Sequence, residues 1–321
     1  MTKCWKPIVA ISVFGVLLLI AIIVIAIMVI IHYKNEFFKN YKLSIVNFCE
    51  NLKTQDNSAI VVRPKTPGIY EYEISRALLN TSLLVTQSNC RNIVPVVNPK
   101  TFTNQHILYG KTSNANFRHM FATIFTDFEN QPINTNISKT GKMLIVFTGT
   151  FFMDEWMSDF SAKQVEASLL NNYKTGVSVH YGFYSIYLSI RDQIWDLYNN
   201  NIENISDIFI TGHSLGGALS TICAFDFALL NPVHYSFAAP RSGSVTYANT
   251  FNQILPTSLR IYNTSDIIPN LPPPIFIKGI NYEQTNQDIP FTVNLGSIGA
   301  NHVTAYIEYL PKCLKNIAPC N

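Results

Sequence analysis

The sequence carries little charge for its length. Charged residues make up 13% of its 321 residues and apolar residues 48%, whereas about a quarter of a typical globular protein is charged. Disordered chains combine few apolar groups with a high net charge, so this composition excludes disorder. The net charge of +3 supplies no basic surface for nucleic acid, and we expect no nucleic-acid partner.

Cysteine is scarce too. The six cysteines include no CxxC pair, which excludes a small disulfide-built scaffold and argues against a zinc site. The chain also lacks solenoid-type repeats and low-complexity runs. These absences leave one or two ordinary folded domains, as the length allows.

The apolar excess is concentrated near the N-terminus. Residues 8–31 contain no charge, Asn, Gln or Pro. A helix of this length is about 36 Å long, enough to cross a hydrocarbon core of about 30 Å. A cleaved signal peptide is the alternative, but its apolar core is only about 7–15 residues long. The run therefore predicts a retained signal-anchor, with one transmembrane helix over residues 8–31.

Lysines flank this span on both sides, so the positive-inside rule gives nearly balanced counts. We favour a cytosolic tail of residues 1–7 because that tail is very short and basic. The rest of this single-pass membrane protein is then lumenal or extracellular. Residues 32–70 are typical of a stalk, and they contain a breaker cluster at 63–68. Residues 71–321 are predicted to form one compact unit that begins with a helix.

Three short apolar runs punctuate that unit, at residues 143–147, 208–210 and 259–262. Each is followed by turn residues, as expected of buried strands. Helical patterns lie between the first two runs and over residues 215–230. Strands that alternate with helices predict an α/β fold with a mainly parallel central sheet and helices on both faces.

A Gly-x-Ser-x-Gly pattern, residues 212–216, lies between a predicted strand and a predicted helix. In this setting the serine, Ser214, occupies a strained turn that exposes its hydroxyl at the sheet edge, as a nucleophile requires. The Leu215 N–H at the start of the helix is then placed to donate to an oxyanion. An incidental turn is the alternative, because so short a pattern also occurs by chance.

A nucleophilic serine needs a base that is held by a third group. In α/β-hydrolases the chain order is serine, acid, histidine. His302 is the only histidine that follows the candidate acid Asp266, so the order selects it. Asp266 comes directly after a predicted strand, where functional residues of open α/β sheets gather. A turn-forming aspartate before Pro269 is the alternative interpretation.

Other acids fit the third role less well. Asp226 lies along the helix of Ser214 itself, about 18 Å from the serine. Glu283 and Asp288 lie in a polar loop after three prolines.

The segment after the first strand is a candidate for the second oxyanion donor. Gly149 would let the backbone approach the substrate, and Thr150 would donate its N–H. Large apolar side chains follow, and we interpret them as a lid that opens onto lipid, with ordinary core packing as the alternative. These lid candidates are Phe151, Phe152, Met153, Trp156 and Met157.

With these motifs in order, the chain resembles the class 3 lipases, the fungal-lipase-like α/β-hydrolases, over about residues 71–313. The similar segments are 146–150 with Trp156 and Asp159, 179–183, 212–217, 239–243, 266–273 and 301–306. The resemblance puts Ser214, Asp266 and His302 at the triad positions. Thr148 stands where many members have arginine.

The resemblance implies an α/β-hydrolase fold and a serine hydrolase that cleaves carboxylic esters of lipids, like a triacylglycerol lipase. The substrate would lie at a membrane or droplet surface, no cofactor or metal is implied, and we expect a monomer. Phospholipids and soluble esters remain open as substrates. A catalytically silent binding or structural module is the alternative class.

The same resemblance predicts a disulfide bond between two of the cysteines. Fungal members bridge two positions that are similar to Cys90 and Cys313, which implies a disulfide here. Cys49 and Cys320 could also pair, and the sequence does not decide this. Cys223, in the apolar helix after the serine, is predicted to be an inert buried thiol.

Overall fold

The computed structural model describes most of the folded unit and part of the N-terminal segment. The described residues are 15, 16, 18–33, 35, 36, 39, 61–90, 102–112, 119–128, 140–149, 163–172, 174–277, 279–285 and 287–315. Residues 18–33 are helical, and their large apolar side chains are exposed. In this described part of the chain, no helix is long and apolar enough to cross a membrane.

A seven-stranded sheet forms the centre of the folded unit, in the order β1-β2-β3-β6-β7-β8-β11. The described strands are β1 (Asn104–Gly110), β2 (His119–Thr126), β3 (Gly141–Phe147), β4 (Gln164–Glu166), β5 (Ser178–His180), β6 (Ile205–His213), β7 (Val233–Phe237), β8 (Leu259–Asn263), β9 (Ile275–Ile277), β10 (Ile280–Asn281) and β11 (Gln287–Phe291). From β3 to β11 every pair in the sheet is parallel, while β1-β2 and β2-β3 are antiparallel. The prediction of a mainly parallel sheet is confirmed.

Helices cover both faces of this sheet. The described helices are α1 (Tyr72–Cys90), α2 (Tyr181–Asn200), α3 (Leu215–Asp226), α4 (Val245–Ile254), a π-helix (Ala300–Tyr309) and α5 (Leu310–Lys315). One core contains side chains of α2, α3 and α4, and the other contains side chains of α1, the π-helix and α5. Strand β3 contributes alternate residues to the two cores, Met143 and Ile145 to the first and Leu144 and Val146 to the second. A strand buried on both faces is apolar throughout, which explains its unbroken apolar run.

The helix after the serine is shorter than predicted. The sequence pattern extended it over residues 215–230, but α3 ends at Asp226, and a 3-10 turn, Ala228–Leu230, follows. Asn231 then takes a left-handed conformation with φ 49°, which asparagine tolerates better than most residues. The outer strands β1 and β11 were not predicted, because edge strands with one exposed face lack a continuous apolar run.

Residues just before α1 contact the amino ends of the parallel strands. Val61 is fully buried, and Lys142, at the start of β3, donates to its carbonyl at 3.2 Å. Arg63 bonds the Asp207 carboxylate near the start of β6 at 2.5 Å. This part of the predicted stalk therefore lies against the folded unit, at the end of the sheet opposite the carboxyl ends of the strands.

Candidate active site

The turn between β6 and α3 holds Ser214 in a strained backbone conformation, with φ 61° and ψ −127°. Positive φ is uncommon for a residue with a side chain and costs about 1–3 kcal/mol. Glycines make the turn sterically feasible. A Cβ on Gly212 would lie 2.2 Å from the Gly216 carbonyl oxygen, and one on Gly216 would lie 2.4 Å from the Phe147 carbonyl oxygen. The predicted strand–turn–helix geometry around the serine is confirmed.

The three predicted triad side chains meet in one hydrogen-bonded chain. His302 Nε2 lies 2.8 Å from Ser214 Oγ, and His302 Nδ1 lies 2.7 Å from Asp266 Oδ2. All three side chains are buried. An ionised carboxylate only accepts hydrogen bonds, so Nδ1 carries the proton and Nε2 is free to accept the serine proton.

Three donors converge on the Asp266 carboxylate. Besides His302, the Ile268 N–H donates to Oδ1 at 3.0 Å and the Tyr306 hydroxyl donates to Oδ2 at 3.1 Å. Burial raises the pKa of Tyr306 well above its ordinary value, so the phenol stays protonated and can donate. Tyr306 accepts in turn from the Asn263 N–H at 2.9 Å. Together the three hydrogen bonds hold the Asp266 carboxylate in place beside the histidine ring.

Two asparagines fix the segment that carries His302. Asn301 donates to the Ser265 carbonyl at 3.1 Å and accepts from the Leu295 N–H at 2.7 Å. The Asn263 amide donates to the Asn301 carbonyl at 3.1 Å. Asn263 is fully buried. Sequence reasoning did not find these two roles, because an asparagine carries no local signal of a partner that is distant along the chain.

The oxyanion candidates are partly described. Leu215 begins α3, where the first N–H groups of a helix have no intrahelical acceptor and the helix dipole favours negative charge. The end of β3 reaches the same place, since a Cβ on Gly149 would lie 3.4 Å from the His213 carbonyl oxygen. The Gly149 N–H donates to Thr86 Oγ1 at 2.9 Å. Thr150 and the lid candidates Phe151, Phe152, Met153, Trp156 and Met157 lie outside the described residues.

The alternative acids have other partners. Asp288 forms an ion pair with Arg260, with Oδ1 and Nη2 separated by 2.7 Å. Asp226 accepts from Tyr187, Arg191 and Trp195, each at 2.8 Å, and so ties α2 to α3. Glu283 accepts from the Gln284 N–H at 2.9 Å. Only Asp266 is bonded to His302 among the acids that the structure describes.

The described part of the chain contains no group of three or more His, Cys, Asp or Glu side chains that could hold a metal ion. Cys313 is disulfide-bonded. The side chain of Cys90 lies outside the described part, as do Cys49 and Cys320, so the predicted pairing stays a prediction. Cys223 is a free, buried thiol whose pKa is raised by burial, as expected of an unreactive core cysteine.

A serine on a strained turn, hydrogen-bonded to a histidine that is bonded to a buried carboxylate, defines the class of α/β-hydrolases. Comparison with known proteins agrees. The family described as "Lipase (class 3)" matches residues 144–276. A lipase of Rhizomucor miehei is 26% identical over 60% of this chain and 53% of its own length. A chloroplastic phospholipase A(1) of Arabidopsis thaliana is 29% identical over 47% of this chain and 37% of its own length.

Solved structures show the same fold. The Rhizomucor miehei triacylglyceride lipase superposes with a TM-score of 0.52 at 23% identity, covering 71% of this chain and 84% of that one. A protein from Penicillium cyclopium superposes with a TM-score of 0.51 at 17% identity, covering 71% of this chain and 83% of that one. The resemblance to class 3 lipases that was drawn from the motifs is confirmed by the family match and by the lipase relatives. It spans about half the length of the first curated relative it matches.

Proposed function

We propose that the protein is a membrane-anchored serine hydrolase that cleaves carboxylic esters of lipids. The observation that carries the proposal is the unbroken hydrogen-bonded chain Ser214–His302–Asp266 at the turn before α3. A serine in this chain can lose its proton to the histidine as it attacks a carbonyl. The family match supports an ester substrate, because the matched relatives carry the names lipase and phospholipase A(1).

The roles follow from the hydrogen bonds. Ser214 Oγ attacks the acyl carbonyl while His302 Nε2 takes its proton and then gives it to the leaving alcohol. Asp266 keeps the imidazole in the required tautomer and stabilises the imidazolium. The N–H groups of Leu215 and Thr150 hold the oxyanion. Water then hydrolyses the acyl-enzyme with His302 as the base.

Among lipid esters, we propose a triacylglycerol-like glyceride as the preferred substrate. The structural neighbour with a TM-score of 0.52 is a triacylglyceride lipase, while relatives from Arabidopsis thaliana and Oryza sativa are phospholipases A1. The two alternatives differ in the group next to the scissile ester, which is neutral in a glyceride and anionic or zwitterionic in a phospholipid.

The test is a panel of triolein, phosphatidylcholine and p-nitrophenyl butyrate, offered to the full chain in detergent with Ser214→Ala as the control. The proposal expects release of fatty acid from triolein that is absent with Ser214→Ala. Turnover of phosphatidylcholine alone would redirect the substrate assignment. No turnover of any ester would favour the binding or structural module.

The membrane anchor remains part of the proposal. The uncharged run at residues 8–31 supports it, and so do the helix at 18–33 and its exposed apolar side chains. The disulfide at Cys313 fits a lumenal or extracellular catalytic domain, since disulfides persist in oxidising compartments. The full chain should resist extraction with alkaline carbonate, and sealed vesicles should protect the catalytic domain from protease. Extraction, or digestion in intact vesicles, would refute the anchor or the orientation respectively.

The apolar segment at residues 151–157 is proposed to cover the site in water and to open on lipid. Exposing apolar area costs about 25 cal/mol per Å², and a lipid surface removes most of this cost. Activity should therefore jump when the substrate passes its solubility limit, and Trp156→Ser should reduce the jump more than it reduces hydrolysis of a monomeric ester. A smooth hyperbola through that limit in both proteins would assign the segment to core packing.

A further inference from the structure

His213 has no part in the proposed chemistry, although it lies between Gly212 and the nucleophile. It is the last residue of β6, and its side chain is buried. Its ring atom Nε2 lies 3.0 Å from the backbone carbonyl oxygen of His302. A carbonyl oxygen only accepts, so Nε2 carries a proton and donates it. The bond joins residues 89 positions apart in the sequence.

The surroundings of the His213 ring keep it neutral. Its centroid lies 4.9 Å from the His302 ring, and the Tyr306 ring meets it edge-on at 5.1 Å. Burial is the largest cause that lowers its pKa well below the ordinary value, and the nearby His302 lowers it further. A neutral ring at this distance does not repel the positive charge that His302 acquires during the reaction, whereas a charged ring would do so.

The backbone carbonyl of His302, to which His213 is bonded, influences where the His302 imidazole lies. His302 lies near the start of the π-helix Ala300–Tyr309, and any rotation of its backbone swings the imidazole away from the serine. His213 and Ser214 are adjacent in the chain, so one short segment holds both the hydroxyl that gives the proton and the donor that fixes the backbone of the acceptor. The Ser214 N–H is itself fixed by the Phe237 carbonyl at 2.9 Å.

We propose that His213 is a positioning residue, whose Nε2–H bond to the His302 carbonyl sets the separation between the Ser214 hydroxyl and the His302 ring. This inference rests on the proposed hydrolase function. It assigns no proton transfer to His213. Loss of the bond should lower the rate of the chemical step and leave substrate binding almost unchanged, because the buried His213 ring packs against His302 and Tyr306.

Three substitutions separate the hydrogen bond from the packing of the ring. His213→Phe keeps an aromatic ring and removes the donor. His213→Gln places an amide nitrogen close to the position of imidazole Nε2, and His213→Asn places its amide one bond short of it. Misplacing a catalytic group by about 1 Å can cost about 100-fold in rate. We therefore expect His213→Phe to lower kcat by about 10- to 100-fold, with KM within about two-fold of the wild-type value.

The experiment measures kcat and KM of the full chain in detergent with p-nitrophenyl butyrate, together with the rate of Ser214 labelling by a fluorophosphonate. His213→Gln should return kcat and the labelling rate to within about three-fold of wild type, and His213→Asn should not. If His213→Phe fails to fold, the comparison of Gln with Asn remains decisive, because both are buried amides. His234→Gln, at a buried histidine outside the site, controls for a general loss of stability.

The outcomes distinguish the two proposals. A wild-type protein that is labelled and active, with His213→Phe within two-fold of it, would overturn the role of His213 and leave the hydrolase intact. The role of His213 would also be overturned if His213→Gln lowered kcat as much as His213→Asn does, because the position of the hydrogen-bond donor would then not determine the rate. A wild-type protein that neither turns over esters nor reacts with the fluorophosphonate would overturn the proposed function and this inference with it.

Discussion

Two buried serine–histidine pairs invite comparison. Their serines lie six residues apart, one in the turn before α3 and the other within α3, but the pairs differ in the other partner of the histidine and in the direction of the hydrogen bonds. Ser214 contacts His302 at 2.8 Å, and Ser220 contacts His234 at 3.1 Å. On the far side of the ring, His302 Nδ1 meets the Asp266 carboxylate, whereas His234 Nδ1 meets the Ser258 hydroxyl at 2.5 Å. The third group decides what each histidine can do.

The direction of the hydrogen bonds is reversed between the pairs. Ser220 donates to the Gly217 carbonyl at 2.8 Å within its own helix, so it accepts from His234, and His234 Nδ1 accepts from Ser258. Burial lowers the pKa of His234 to about 3. Among the described residues, His234 is hydrogen-bonded to Ser220 and Ser258, which do not stabilise an imidazolium as a carboxylate does, so this ring does not act as a base near neutral pH. A serine–histidine contact is therefore not sufficient for a nucleophile; a carboxylate behind the histidine and the strained turn between strand and helix are also required.

The largest expected effect comes from exchanging the two serines for alanine. Ser214→Ala should abolish ester turnover, since loss of a triad serine costs roughly 10⁶-fold in the subtilisin example. Ser220→Ala, the matched control, should keep turnover within about three-fold and lose only stability, by about 1 kcal/mol. Initial rates with p-nitrophenyl butyrate and thermal unfolding midpoints measure both. If the two variants had equal activity, the distinction between the pairs would fail.

The next effect concerns the carboxylate. Asp266→Asn should lower kcat by about 10⁴-fold, as the equivalent change does in a serine protease, because the amide favours the wrong imidazole tautomer. Asp288→Asn removes a partly exposed ion pair with Arg260 and should cost no more than about 1 kcal/mol of stability, with little change in kcat. Steady-state kinetics of both variants decide the assignment. If Asp288→Asn lowered kcat severely and Asp266→Asn lowered it only mildly, the acid of the triad would be Asp288.

A smaller effect is expected from the tyrosine that donates to Asp266. Tyr306→Phe removes this bond and should lower kcat by about 5- to 30-fold, the equivalent of about 1–2 kcal/mol. Tyr187→Phe is matched to it, since Tyr187 donates to the buried carboxylate of Asp226 at 2.8 Å outside the site. Both variants should unfold at a lower temperature, and only Tyr306→Phe should lose kcat. Equal losses of kcat would mean that stability alone explains the result.

The smallest effect is in the pH dependence of stability. Burial lowers the pKa of His234 from 6.5 to about 3, so between these values the unfolded chain binds a proton that the folded chain does not. The free energy of unfolding therefore falls as pH drops below about 6.5, by up to about 1.4 kcal/mol per pH unit. His234→Gln should be less stable at pH 7.5 but should lose less between pH 7 and pH 5. Thermal unfolding of the two proteins across this pH range measures the difference. Equal losses of stability in the wild type and in His234→Gln would refute the assignment.

Part of the fold and of the site could be predicted from the sequence. Ser214 was found because its turn has a local pattern, and Asp266 because strand β8 ends just before it. His302 was found by chain order and by the resemblance to class 3 lipases. Three inner strands, β3, β6 and β8, were predicted from their apolar runs, whereas the inner strand β2 and the edge strands β1 and β11 were not. The roles of Asn263, Asn301, His213 and His234 could not be predicted, because each depends on a partner that only the folded chain brings near.

The most direct test of the account asks which serine is activated and by what. The full chain is treated in detergent with a fluorophosphonate, digested, and the labelled peptide is identified by mass spectrometry in the wild type and in His302→Ala. We expect a label on Ser214, none on Ser220 or Ser258, and near-complete loss of the label in His302→Ala. A label on another serine, or equal labelling of Ser214 without His302, would contradict it.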